Sequence, residues 1–232
     1  MICWICGDDE ASTREHLSKA SDIKALFGKP SQSNPLFINS SDPTTWRRHR
    51  NVKVGSLKSA ALKFTHRICL TCNSSRTQPY DYAWERCSER LRDALPGLSA
   101  KGSFRANSIF PHDTQCGMQR VHLYFTKILG CLAVEGKIRI DIASLAKALV
   151  DGKPHQNIYL AFGYLPLPVA AIGGTEVHTA EIDGRVAFAS WIYHVGGLAV
   201  NVMYAIKGER REGLKLSWHP RLGSKKIGFS RF

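Results

Sequence analysis

The chain has 232 residues, of which 44% are hydrophobic, and it carries a formal net charge of +13 with a pI near 9.6. This length and apolar content describe a folded chain of one large domain or two small ones and exclude a disordered polymer. No apolar run approaches the roughly 20 residues that span a bilayer. The most apolar stretch, 120–134, is too short and contains Arg120, His122 and Lys127, so no membrane association is expected.

The chain opens on Met1-Ile2-Cys3 and enters a cysteine pair at once, with no basic segment leading into an apolar one. A cytoplasmic location with reduced thiols is therefore expected. In that setting closely spaced cysteines point to metal binding or redox chemistry before disulfides. Cys3-Trp4-Ile5-Cys6 and Cys69-Leu70-Thr71-Cys72 are two Cys-x-x-Cys pairs, and Gly7 suits the tight turn after the first. One pair alone would leave a redox dithiol or ordinary buried cysteines open. Two pairs together supply the four thiolates of a closed structural zinc site. Cys87, Cys116 and Cys131 have no such spacing and are expected to be packing residues.

Further along, Ala11–Leu17 is the candidate strand partner of Lys63–Ile68, which alternates and is rich in strand formers. Residues 18–62 form an insertion between them, with Gly, Ser, Asn and Pro through 28–43. From Thr44 to Tyr80 the chain holds Arg47, Arg48, Arg50, Lys53, Lys58, Lys63, Arg67 and Arg76 and no acid. Such a run is either a solvated face or a phosphate-contacting one. Trp46 sits among the arginines, placed to stack on a base or to pack inward. A helix is expected over Pro79–Leu95, started by Pro79 and stopped by Pro96-Gly97.

Turn signals at Pro96-Gly97, Lys101-Gly102 and Pro111-His112-Asp113 suggest a domain boundary near 100–115. Beyond it, helices are expected over Val121–Val134 and Asp141–Leu149, with Asp141 as cap. Strands are expected over Ile158–Tyr164, Thr175–Ile182, Val186–His194 and Leu198–Ile206, with hairpin turns at Asp183-Gly184 and Gly196-Gly197. That order implies an antiparallel sheet. Basic residues recur in the tail, from Lys207 to Arg231.

Two polar motifs flank the cysteine pairs: Ser12-Thr13-Arg14-Glu15-His16-Leu17, and Asn73-Ser74-Ser75-Arg76-Thr77-Gln78-Pro79-Tyr80-Asp81. With these, residues 1–95 resemble the zinc-containing, four-cysteine branch of the HNH endonucleases, which have the ββα-metal fold. The resemblance implies His16 as general base on water and Glu15 as a ligand to a catalytic Mg²⁺ or Mn²⁺. It implies Asn73 as the residue that holds the histidine's loop, and Asp81 as the last metal ligand, where His or Asn is more usual. These types suit phosphodiester hydrolysis, since a neutral imidazole accepts a proton near neutral pH and carboxylates hold hard cations. Each role has a plainer competitor. His16 can be a strand-end histidine, Glu15 a solvated partner of Arg14, Asn73 a cap, and Asp81 a first-turn acid facing the helix dipole. The segment 18–62 is also longer than the family's usual insertion.

The expected architecture is therefore α+β. A zinc-stabilised ββα-metal unit would occupy 1–100, with a basic insertion at 18–62, and an α+β domain with an antiparallel sheet would occupy 116–232. The expected function is a metal-dependent DNA endonuclease, with Arg47, Arg48, Arg50, Lys53, Lys58, Lys63 and Arg76 contacting nucleic acid. The alternative is a zinc-stabilised nucleic-acid-binding module without catalysis. The sequence leaves homo-oligomerisation open.

Overall fold

Local signals build most of the elements, and the last long helix of the first 135 residues binds them together. The computed structural model describes residues 1–41, 48–167, 170–223 and 225–232. In chain order the elements are α1 (Ala20–Phe27), β1 (Leu36–Ser41), β2 (Arg48–Val54), α2 (Gln78–Asp93), α3 (Leu95–Lys101), β3 (Ser103–Arg105) and α4 (Ala106–Ile109). There follow α5 (Thr114–Glu135), α6 (Ile142–Asp151), β4 (Ile158–Tyr164), β5 (Ile172–Gly174), β6 (His178–Ile182), β7 (Arg185–Val195), β8 (Leu198–Ala205), α7 (Glu212–Lys215) and β9 (Lys226–Arg231).

The C-terminal half forms a sheet in the order β3-β9-β4-β8-β7-β5, with β6 also paired to β7. Its pairs are antiparallel except β4 with β9, which run parallel. Asp183 at φ 51° and Gly184 at φ 73° make the two-residue turn between β6 and β7. Both lie in the left-handed region, which matches the twist of the flanking strands. The carboxylate of Asp141 accepts a hydrogen bond from Ser144 N at 3.0 Å and so caps α6.

Two expected elements differ. Pro96-Gly97 does not end helical structure. Pro96 instead sits in the first turn of α3, where its missing N–H costs nothing, and that helix ends on Gly102 at φ 65°. The expected strand pair of Ala11–Leu17 with Lys63–Ile68 is not continuous, and isolated bridges join Thr13 to Ile68 and His16 to Lys63. Phe64 N donates to Glu15 O at 3.0 Å, and Thr13 and Ile68 exchange backbone hydrogen bonds at 2.9 Å. Between these, Thr65 N and His66 N donate to the Glu135 carboxylate at 2.9 and 2.7 Å. A side chain from α5 takes the donors that a strand ladder would have used.

The insertion 18–62 contains α1 and the hairpin β1–β2. A small cluster of Ile23, Val54 and Leu62, with Phe27, Leu36, Ile38 and Leu57 packed against it, holds this unit. Asp22 anchors α1 to the main body. Its buried carboxylate accepts from Trp84 Nε1 at 2.9 Å, Ser88 Oγ at 2.7 Å and Tyr193 OH at 3.3 Å. Residues on both sides of 100–115 share one core, which runs from Cys3 and Ile68 through Trp84, Phe125 and Leu129 to Tyr193 and Phe229. No helix among the described residues is long and apolar enough to cross a membrane.

Candidate functional site

The four cysteines of the two pairs converge. Their sulfurs all lie within 4.8 Å of one another, and Cys6 Sγ is 3.8 Å from Cys69 Sγ. A tetrahedral zinc at about 2.3 Å from each sulfur puts neighbouring sulfurs roughly 3.8 Å apart, so the cluster has the dimensions of a structural zinc site. The local chain supports it. Gly7 at φ 76° closes the first knuckle by donating to Cys3 O at 2.9 Å. In the second knuckle, Cys72 N donates to Cys69 Sγ at 3.3 Å, and Cys72–Arg76 winds as one π-helical turn into α2. Burial, with the crowded thiols beside it, pushes Cys69 up to about 11. A bound dication reverses that preference by stabilising the thiolates.

Helix α5 docks this unit in three places. Trp4, between the first two cysteines, lies across Gly130 so closely that a Cβ there would be 2.2 Å from Trp4 Cη2. Glu135 holds Thr65 and His66, as described above. Lys127 makes the third contact, and it changes the reading of the acidic pair.

Glu15 and Asp81 do come together, each only 6% exposed. The group between them is the ammonium of Lys127, a side chain with 0% exposure. Lys127 Nζ donates to Glu15 Oε2 at 2.6 Å, Asp81 Oδ1 at 2.7 Å and Thr77 Oγ1 at 3.3 Å. Lys19 Nζ flanks the group, 3.5 Å from Asp81 Oδ2 and 3.3 Å from Glu85 Oε1. Burial opposes charge on Lys127, but the two carboxylates outweigh it and push its pKa up. Burial likewise opposes ionisation of Glu15, yet Lys127 holds that carboxyl below the ordinary range. At Asp81 burial prevails, helped by the neighbouring Glu15, and its pKa rises. The pair expected to bind Mg²⁺ or Mn²⁺ thus already has a cation, and the residues present do not fit a divalent ion between them.

His16 is half-buried next to Glu15, whose Oε1 accepts from His16 N at 2.8 Å. Its Nε2 lies 3.2 Å from Leu57 O. A carbonyl can only accept, so this contact places the ring proton on Nε2 and leaves the lone pair on Nδ1. Burial lowers the His16 pKa below the usual histidine value. Asn73 Nδ2 donates to Thr13 Oγ1 at 3.1 Å, which fastens the exit of the second knuckle to the extended segment that carries Glu15 and His16. His16 lies on this segment and Asn73 holds it. His66, for which no chemistry was expected, is occupied through its backbone by Glu135.

The basic residues divide. Arg50, Lys53, Lys58 and Arg67 are exposed, and Lys63 is half-buried. None of these appears in an ion pair among the described residues. Arg76 is half-buried and donates from Nη1 to Cys72 Sγ at 3.0 Å, so it serves the cysteine cluster. Arg47, Trp46 and the side chain of Arg48 lie outside the described residues. Cys87 and Cys131 are buried in the core and Cys116 is partly so, consistent with packing roles.

No protein-family model matches this chain, and neither a curated protein nor a solved structure matches it. The functional reading therefore rests on the geometry alone. Sequence reasoning missed Lys127, although a signal was present. A lysine in the most apolar stretch of a chain is buried with its helix and needs anionic partners there.

Proposed function

We propose that this protein is a zinc-stabilised nucleic-acid-binding module that grips the DNA backbone through its basic insertion. The observation that carries this reading is the acid-free run through β2 and the segment after it. There Arg50, Lys53, Lys58 and Arg67 stand exposed with no carboxylate partner among the described residues. Unneutralised cations of this kind are what phosphate contacts require, because binding then gains from counterion release. The β1–β2 hairpin is also a two-stranded ribbon, a shape that the major groove of duplex DNA admits. The four cysteines, holding zinc, would keep the base of the insertion in place.

The test is fluorescence anisotropy with labelled duplex DNA, comparing the zinc-loaded wild type with an Arg50→Ala/Lys53→Ala/Lys58→Ala variant. All three residues are exposed, so the variant should fold normally. Loss of three phosphate contacts is expected to weaken binding by about 10-fold or more at low salt. Equal affinity of the two proteins would remove the insertion from the interface.

A specific observation favours a second reading, phosphodiester hydrolysis. A general base on water must be neutral near pH 7 with a lone pair free. The lowered pKa of His16 and the proton on Nε2 meet both conditions. Plasmid incubation separates the readings. Nicking by wild type that disappears in His16→Ala would establish the hydrolase. Binding without nicking would leave the first reading alone.

A further inference from the structure

We propose that Glu15 and Asp81 form a cation site whose resident cation is Lys127, and that this site excludes divalent metal for as long as the lysine is present.

The geometry saturates the ammonium. Its three N–H groups have three acceptors, Glu15 Oε2 at 2.6 Å, Asp81 Oδ1 at 2.7 Å and Thr77 Oγ1 at 3.3 Å. An ammonium has three donors and no acceptor, so no bonding capacity is left over. Thr77 is itself fully buried and held through Oγ1 to Cys72 O at 2.9 Å. The receiving oxygens come from the extended segment before His16, the knuckle exit and α2, and the lysine comes from α5.

Charge accounting points the same way. Glu15 and Asp81 face Lys127 inside, and at the rim Lys19 is shared between Asp81 and the half-buried Glu85. A dication added to this group would leave surplus positive charge pressed against the Lys127 ammonium in a buried place. A dication that displaced Lys127 would strand a buried ammonium without an acceptor. Both arrangements leave an uncompensated buried charge, which is among the most unfavourable states a protein interior can hold. Lys127 has no short route out, since its ammonium lies under the Tyr124 ring, 5.8 Å from the centroid, on a buried face of α5. Removing the lysine leaves two carboxylates and a hydroxyl around the space its ammonium held. Oxygen donors of this kind suit Mn²⁺ or Mg²⁺.

The proposal does not depend on nucleic-acid binding, and its readout is metal alone. Mn²⁺ is titrated into zinc-loaded protein and followed by electron paramagnetic resonance of the free ion. Wild type is expected to show no Mn²⁺ uptake that Glu15→Gln removes. Lys127→Ala is expected to gain one tight site per chain, and Lys127→Ala/Glu15→Gln to lose it. Two results would overturn the proposal: wild type that binds Mn²⁺ in a Glu15-dependent manner, or a folded Lys127→Ala that gains no site. If Lys127→Ala does not fold, the wild-type titration against Glu15→Gln and Asp81→Asn still decides whether the native pair takes metal.

Discussion

Gly130 owes its place to a tryptophan. Trp4 occupies the space where a side chain at 130 would stand, with a Cβ falling 2.2 Å from its ring. Gly130→Ala should therefore force the first cysteine knuckle away from α5. Overpacking of this kind costs about 1–3 kcal/mol, visible as a lower urea midpoint, and Trp4→Leu in the same chain should restore part of it. An unchanged midpoint would mean that the knuckle does not dock on α5. At this scale the sequence was readable where partners are close along the chain, as in the Cys-x-x-Cys pairs, Gly7 and the Asp141 cap. It was not readable at Glu15 and Asp81. Spacing marked them as acids near a histidine and a helix start, but Lys127 reaches them from 112 and 46 residues away. Only the fold brings a cation from that distance.

Among the elements, the two knuckles carry the strongest dependence on a ligand. Four thiols held within 4.8 Å of one another need a cation if they are to ionise together. Metal analysis should find about one zinc per chain, as a closed four-sulfur site holds. Chelation should lower the melting temperature, with the region from Thr13 to Ile68 losing amide protection first. Retention of that protection in metal-free protein would contradict a stabilising zinc. The elements that the sequence foretold best are β4 and β6 to β8, where alternation and left-handed turn residues act locally. The strand expected at Lys63–Ile68 failed for a non-local reason. Glu135 takes the N–H groups of Thr65 and His66, and local periodicity cannot register a carboxylate arriving from another helix.

Across the whole molecule, the halves joined near 100–115 are one packed body. Turn signals suggested a boundary there, but α5 carries Lys127, Gly130 and Glu135 into the N-terminal half while its other faces pack on α6 and β4. A buried histidine cluster lies on that second side. His122 Nε2 is 3.0 Å from Ile158 O, and the His122 and His219 rings are 5.2 Å apart. Burial pushes His122 down to about 3 and His155 down to about 4, from an ordinary 6.5. The unfolded chain therefore takes up these protons first as pH falls. Stability is full above about pH 6.5 and is lost on acidification toward pH 4, at up to about 1.4 kcal/mol per pH unit for each histidine. Urea unfolding between neutral pH and pH 4.5 should show this slope, and His155→Gln should flatten it. A flat profile in wild type would place protonatable water-exposed rings where the structure has buried ones.

The proposed binding surface is also a property of the whole molecule, whose net charge is +13 and whose run from Thr44 to Tyr80 holds basic residues and no acid. The most direct test is the affinity of zinc-loaded protein for duplex DNA across a salt series. Four phosphate contacts, by Arg50, Lys53, Lys58 and Arg67, should weaken binding by about 100-fold between about 50 and 200 mM salt, and Arg50→Ala/Lys53→Ala should reduce the log–log slope by about 2. Binding that is absent, or that does not change with salt, would contradict the assignment of this surface to nucleic acid.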